Sequence, residues 1–361
     1  MKPLVSIWTS SQLTYDQRIL RIKSVMESMG MKVVVWDRAT PQYPGGRIRV
    51  KPTSGPSLYA ALNREISRQA SQQNVALHYA ADIDVMPGLI VGLRKKKEIP
   101  LLLDLHEWFP EVVELTGRPV KKMIWEWIER RSIRRATSCM TVNVSLSKIF
   151  EEKYGRSFTV VRNVPELGIG GQVDVQKRLE RKILYYQGAL NEGRGLEDVI
   201  RWMKLLPKWR LWLVGDGDIA EDLRKLTDEE GLTDRVVFYG RQKPKDLPGL
   251  AAQATLGLNL LRGDSLSYYY SLANRYFDYI HSRLPAIHMD FPEYELLMKK
   301  YGIGQRLTNL SAEEFVDLVQ EMTDSVAVYE EMVDQCELAR IEYNWEKESD
   351  VLKSLLEQIC K

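Results

Sequence analysis

The sequence predicts an α/β protein of two Rossmann-like, doubly wound parallel-sheet domains. Three observations carry this. The chain has 361 residues, more than one hydrophobic core of ordinary size organises. It opens on a strand at Leu4–Trp8, a helix and a second strand at 32–36, and consecutive parallel strands need such a crossover. A second alternation of strands and helices starts at Lys182, after a Gly-rich, aperiodic stretch over 163–176 that suits an interdomain connection.

Composition narrows the function classes. An apolar fraction of 44% beside 28% charged residues describes an ordinary globular protein and argues against disorder. The net charge of +2 argues against a dedicated nucleic-acid binder. The three cysteines, Cys139, Cys336 and Cys360, are odd in number and lack metal spacing, so a reducing compartment without a disulfide framework is expected. No run approaches the ~18 apolar residues of a membrane span. The first residues read as a strand and not as a signal peptide. Cytoplasm is the expected location.

In the opening unit, residues 10–14 are a loop, and Ile19, Ile22, Met26 and Met29 mark a helix face closed by Gly30. Further strands are expected at 75–78, 100–105, 138–143 and 159–162, with helices between them. The functional edge of such a sheet is the set of loops beyond the strand ends. Two of those loops stand out, Ala81-Asp82-Ile83-Asp84 and Asp104-Leu105-His106-Glu107-Trp108. On the residues alone both read as helix-capping clusters.

Over 119–135 the residues Val120, Met123, Ile124, Trp127 and Ile128 form an apolar helix face. Lys121, Lys122, Arg130, Arg131, Arg134 and Arg135 crowd the rest, against Glu126 and Glu129, and Trp125 sits among them. A second basic cluster runs from Arg94 to Lys97. Two readings stay open. One is a helix packed into its domain with a solvated charged face. The other is docking on an anionic membrane through Lys121, Lys122, Trp125, Arg130, Arg131 and Arg134, each basic residue contributing ~1 kcal/mol and the Trp sitting at the interface.

In the second half, a strand at 182–186 leads into the turn from Gln187 to Gly195 and a helix with Leu196, Val199, Ile200 and Met203 inward. Glycines before a helix let backbone approach a phosphate, and Arg194 is placed to pair with it. The strand Arg210–Val214 ends in Gly215-Asp216-Gly217-Asp218-Ile219-Ala220, a G-x-G-x-x-A match. A dinucleotide site would need an acid at the end of the next strand. That strand ends in Gly240-Arg241-Gln242, and the nearest acid, Asp234, precedes it. Nicotinamide dinucleotide binding is therefore rejected. After a strand at 255–260 comes YYYSLANRYFDYIHSRLPAI, residues 268–287. A helix carries Leu272, Tyr276 and Tyr279, its first free N–H groups favour an anion, and Arg275 and Asp278 are spaced as a charge pair. A short strand follows at 286–288. Tyr301-Gly302-Ile303-Gly304 is one more strand, and Asn344-Trp345 introduces a last helix with Val351, Leu355 and Ile359 at helical spacing.

The stretch 268–287 resembles the donor-binding segment of family 4 glycosyltransferases, which carry two acids spaced E-x7-E. One branch reads roughly s-l-P-N-K-l-F-E-Y and then a-G-l-P-V-I. Ser271, Leu272, Asn274, Phe277, Asp278, Tyr279, Leu284, Pro285 and Ile287 follow it. Ala273, Arg275, Asp278 and Arg283 replace Pro, Lys, Glu and Gly, and Tyr270 stands where the first acid would be. The turn after the first strand of the second domain resembles G-R-l-x-x-x-K-G, with Arg194 in the Lys position and Ala189 in place of the Arg. One phosphate ligand is then either lost or supplied from elsewhere, with Arg275 and Arg262 the candidates. His106 and Glu107 match the family's D-x-H-E, and Asp16-Gln17-Arg18 its D-x-R helix start. Ala81 replaces a histidine that many relatives carry beside Asp82. The Asp82–Asp84 triplet also resembles the metal site of a different class, GT-A, but such triplets are common by chance.

The resemblance implies a GT-B fold: an acceptor domain at 1–168, completed by 345–361 as the C-terminal helix crosses back, and a donor domain at 177–344, the two facing a cleft. It implies a retaining, metal-independent glycosyltransferase moving a sugar from a nucleoside-diphosphate sugar to a glycan or lipid-linked acceptor, in polysaccharide or glycoconjugate synthesis. No cofactor is implied beyond that donor, UDP- or GDP-linked. Gly188, Arg194, Gly215, Gly240, Arg241, Tyr270, Ser271, Leu272, Asn274, Arg275 and Asp278 would hold the donor, with Asp278 on the ribose hydroxyls. Asp16, Arg18 and Asp82 would lie on the acceptor side, and His106 and Glu107 would orient the reacting groups. Alternatives are a GT-B relative such as a nucleotide-sugar 2-epimerase, and a catalytically silent nucleotide-sugar-binding protein.

Overall fold

A computed structural model describes residues 2–13, 16–38, 46–48, 55–168 and 172–360. The end of the expected loop at Thr14 and three residues of the expected linker, 169–171, lie outside them. The chain divides into two compact units, Met1–Asn163 with Glu348–Lys361, and Val164–Lys347.

Among the described residues the first unit holds a seven-stranded parallel sheet in the order β3-β2-β1-β4-β5-β6-β7. Its strands are β1 (Leu4–Trp8), β2 (Lys32–Asp37), β3 (Gly46–Arg47), β4 (Leu77–Ala81), β5 (Leu101–Leu105), β6 (Ser138–Thr141) and β7 (Thr159–Val160). β4 starts two residues later than the apolar run suggests, because its register is set by pairing Val5 with Leu77 on one side and His78 with Leu101 on the other. β6 and β7 end earlier than expected, and the two-residue β3 was not expected. The first helix, Gln17–Ser28, starts where the Asp16 carboxylate accepts the Ile19 N–H at 3.1 Å, a side-chain N-cap. It buries Ile19, Ile22, Val25 and Met26 and ends before Gly30 at φ 82°.

The second unit holds, among the described residues, a six-stranded parallel sheet in the order β10-β9-β8-β11-β12-β13. Its strands are β8 (Ile183–Gln187), β9 (Arg210–Val214), β10 (Val236–Gly240), β11 (Leu256–Asn259), β12 (Ala286–Met289) and β13 (Gly304–Leu307). β13 begins where the expected strand at 301–304 ends, since Ala286 pairs with Gly304. β8, β11 and β12 are buried along their whole length, the pattern of strands covered on both faces. The helix Asn274–His281 starts after Leu272, which packs ahead of it as a buried side chain. All strands being parallel, the ends of β8, β9 and β11 meet along one edge.

The terminal helix, Trp345–Ile359, joins the first unit from Glu348 onward. The Glu348 carboxylate accepts the Arg162 backbone N–H at 2.8 Å and its guanidinium at 3.1 Å. Leu352, Leu355, Leu356 and Ile359 are buried, whereas Val351 is 41% exposed.

Candidate functional site

At the strand-end edge of the second unit lies a cavity of about 690 Å³, within the usual range for a small-molecule site. Gly188, Arg194, Gly215, Arg241, Leu272, Asn274, Arg275 and Asp278 line it, with Gln187, Ala189 and Asp216 among their neighbours. Gly240, Tyr270 and Ser271 do not line it. Gly240 instead supplies the carbonyl that accepts the Gly215 N–H at 2.9 Å. The Ser271 N–H and hydroxyl both return to the Tyr268 carbonyl, at 3.1 and 2.8 Å, so the expected use of that amide for an anion does not hold. Tyr270 packs edge-on against Tyr269.

The cavity floor depends on two glycine turns in contact. Gly215 sits at φ 150°, and a Cβ there would meet the Gly188 carbonyl oxygen at 1.8 Å. That obstacle is backbone and cannot swing aside, so Gly215→Ala is expected to destabilise the protein by about 2–4 kcal/mol and abolish ligand binding. A urea titration with a binding assay checks both.

Arg275 is the unusual side chain. It is 7% exposed, and its planar head lies over the Tyr186 ring at 4.7 Å. Nε donates to Asn259 Oδ1 at 2.8 Å, and one terminal nitrogen donates to the Tyr186 hydroxyl at 3.1 Å and the Gln187 carbonyl at 3.4 Å. These acceptors are an amide, a phenol and a carbonyl, all neutral. The other terminal nitrogen is buried without a partner. The expected pairing with Asp278 is absent, because Arg275 turns inward and the Asp278 carboxylate accepts from Gln187 Nε2 at 2.6 Å. Arg194 also lines the cavity. Its guanidinium stacks on Tyr268 at 4.7 Å, and its Nε is buried without a partner. A buried cation facing an open cavity with neutral neighbours favours an anion there. Arg262, the other candidate for the missing cation, is spent on Asp198 at 2.7 Å.

Two residues absent from the sequence reading fix the angle of Arg275. Asn259 takes the Arg275 Nε on its oxygen and turns its nitrogen to His288 Nδ1 at 3.2 Å. Burial drives the His288 imidazole down to about 3, so it stays neutral and can accept. A polar residue inside each of the apolar runs Leu-Gly-Leu-Asn and Ala-Ile-His-Met was the available signal.

The first unit holds a separate network at the ends of β4 and β5. Asp104, fully buried, accepts Arg18 Nε at 2.7 Å and a terminal nitrogen at 2.8 Å, with the Tyr79 hydroxyl and His106 Nε2 (2.8 Å) on the same carboxylate. Arg18 gives its remaining terminal nitrogen to the Val161 carbonyl at 2.9 Å. At 4% exposure, with all three nitrogens engaged within the network, it does not reach an acceptor substrate, which corrects its expected placement. Asp16 serves as the helix cap described above. Asp82, by contrast, makes no side-chain cap bond to the turn it precedes. Held at φ 68°, it accepts the His106 backbone N–H at 3.0 Å and faces His106 Nδ1 at 3.0 Å. Both ring nitrogens of His106 thus meet carboxylates. Burial opposes its charge, but Asp82 and Asp104 override that and raise its pKa well above the ordinary value. The ring is an imidazolium with both N–H groups taken by carboxylates, so it neither takes a proton nor has a donor left for a substrate, which corrects its expected direct role in orienting the reacting groups. Burial pushes the Asp84 carboxyl up to about 7, with Asp82 adding to it. Glu107 is pushed up by desolvation first, then by Asp82 and Glu114, though it keeps more solvent contact than Asp84 and the desolvation acts on it less.

The helix Pro119–Arg135 runs where expected but faces the other way. Trp125, which one of the two sequence readings placed at a membrane interface, packs against Phe109 at 4.4 Å and Tyr59 at 5.4 Å. Lys122 is paired with Glu111 at 2.6 Å.

The two-sheet architecture is that of the GT-B glycosyltransferases. Over 99% of both chains it superposes on sucrose-phosphate synthase from Thermosynechococcus elongatus, with a TM-score of 0.79 at 15% identity. It also matches Anabaena Alr3699/HepE, solved in complex with UDP and glucose, with a TM-score of 0.75 at 15% identity over 98% of this chain and 99% of that one. Residues 172–258 match the family described as glycosyl transferases group 1. The chain is 37% identical over 86 residues to the lipopolysaccharide core biosynthesis glycosyltransferase LpsD of Rhizobium meliloti (strain 1021), 24% of each chain. It is 27% identical over 184 residues to LpsE of the same organism, 48% of this chain and 52% of that one. These alignments cover about a quarter and about half of the two relatives. The family match lies in the second unit, the two relatives are glycosyltransferases and the fold is GT-B, each in the direction the resemblance implied.

Proposed function

We propose that the chain is a retaining, metal-independent glycosyltransferase, moving a sugar from a nucleoside-diphosphate sugar to a glycan or lipid-linked acceptor in polysaccharide or lipopolysaccharide synthesis in the cytoplasm. The observation that carries it is Arg275, a buried guanidinium with only neutral partners and one unused nitrogen, facing a cavity shared with Arg194. Two cations and the start of the helix Asn274–His281 would stabilise the negative charge that a leaving diphosphate develops. Arg275 replaces the cation that Ala189 lacks. Asp278 would take the ribose hydroxyls. Retention follows if the acceptor attacks from the face the diphosphate leaves, with that diphosphate drawing the acceptor proton. His106 would act through Asp82, whose carboxylate it holds, and not by a hydrogen bond of its own. HepE, solved with UDP and glucose, makes UDP-sugars the first donors to try.

Calorimetry against UDP- and GDP-sugars, followed by turnover with and without acceptor, tests this reading. Arg194→Ala is expected to lower turnover by about 100-fold or more, and near-normal activity would refute its phosphate role. The absent first acid, where Tyr270 stands, favours a silent sugar-nucleotide binder as the second reading. Binding without turnover would establish it, and donor conversion without acceptor would point to an epimerase.

A further inference from the structure

We propose that the outward face of the helix Pro119–Arg135 is a membrane-docking surface, which inserts Val120, Met123, Ile124 and Trp127 among the headgroups of an anionic bilayer. This surface belongs to the first unit, and the proposal does not depend on the reading given to the cavity of the second. The four side chains are 64%, 62%, 50% and 58% exposed. Their spacing of three, four and seven residues puts them on one side of the helix. Four large apolar groups side by side in water form the kind of patch that marks an interaction site.

The same side changes character along the helix. Past Trp127 it continues into Arg130, Arg131 and Arg134, all exposed, and the Arg131 guanidinium lies over the Trp127 ring at 4.8 Å. Neither acid of the helix answers these charges. Glu129 is buried and engaged by Lys153 and Tyr154, and Glu126 is half-buried. The opposite side is seated firmly, with Ile133 and Ser132 buried and Trp125 held between Tyr59 and Phe109. The helix Met86–Gly92 packs beside it, and Arg94, Lys95 and Lys97 follow that helix exposed.

Charge decides the occupant. A second copy would set these cations against one another or against apolar side chains. An anionic bilayer neutralises them and takes in the apolar half together, the arrangement of an in-plane interfacial helix. Among the described residues no helix is long and apolar enough to cross a membrane.

The test is co-sedimentation of the full chain with phosphatidylcholine vesicles, with and without phosphatidylglycerol. Selective recovery on the anionic vesicles is expected. Met123→Ser/Ile124→Ser/Trp127→Ser should abolish it at every salt concentration. Arg130→Gln/Arg131→Gln/Arg134→Gln should weaken partition about fivefold per residue, on the order of 100-fold in all. Both sets change exposed side chains, and circular dichroism confirms that they fold. Equal recovery on neutral and anionic vesicles would overturn the proposal, as would indifference to either set. A wild-type dimer in sedimentation velocity that the apolar set converts to monomer would assign the face to a second copy and overturn it too.

Discussion

Arg275→Met is expected to weaken nucleoside-diphosphate binding by at least about 100-fold while leaving the empty protein as stable as wild type, or more so. A charge-assisted hydrogen bond to phosphate contributes about 1.5–3 kcal/mol. Losing two of them removes two powers of ten or more in affinity. The empty protein gains from the same change. At 7% exposure the guanidinium carries its charge among neutral acceptors, with one nitrogen unpartnered, and replacing a buried uncompensated charge by an apolar chain is commonly neutral or stabilising. Against this, the buried Asn259 oxygen loses its donor; the other neighbours are kept. The Tyr186 hydroxyl keeps its bond to the Ala189 carbonyl at 2.8 Å, and Asn259 keeps His288. Thermal melts with and without UDP check both halves. A saturating ligand at about 100 times its dissociation constant should raise the wild type by about 2.7 kcal/mol and the variant hardly at all. A variant that UDP stabilises as well as it does the wild type would remove Arg275 from the site. An empty variant that melts far lower would make the residue structural.

The division of labour around Arg275 marks where sequence stops informing. The alternation of strands and helices was legible because β8, β11 and β12, buried on both faces, read as near-continuous apolar runs. The glycine turns and most of the cavity lining were legible too, since those positions match a family pattern. Side-chain direction was not. Arg275 and Asp278 have the spacing of a helix pair, yet Asn259 draws one inward and Gln187 engages the other, and no local pattern encodes those two. The helix Pro119–Arg135 shows the same limit. Its apolar residues lie on two sides, and only Tyr59 and Phe109, distant in sequence, decide that Trp125 is the anchor. At Asp82 the left-handed backbone that aims the carboxylate at His106 leaves no trace in composition or period.

Asp104→Asn is expected to destabilise the protein by about 3–5 kcal/mol, the cost of removing one partner from a buried ion pair. Arg18 is 4% exposed and Asp104 fully buried, so neither can turn to solvent when the other's charge is gone. His106 would lose one of its two carboxylates and keep Asp82. The pH dependence gives this a signature that a packing defect would not. Burial alone would raise the Asp104 carboxyl, but Arg18 and His106 override it and hold the group below the ordinary carboxylate range. Its contribution is therefore fully present above the unfolded value of about 4 and is lost as pH falls through the folded one. The raised pKa of His106 acts at the other end, since its contribution is full below about 6.5 and is lost as pH rises through the higher folded value. Asp84 works against the fold, because a carboxyl pushed up to about 7 withdraws stability as pH climbs from about 4 towards that point. Urea midpoints measured across pH should fall steeply on the acid side for wild type, and that limb should flatten for Asp104→Asn. A variant that keeps the acid limb and the wild-type midpoint would show that Asp104 does not carry the charge balancing Arg18 and His106.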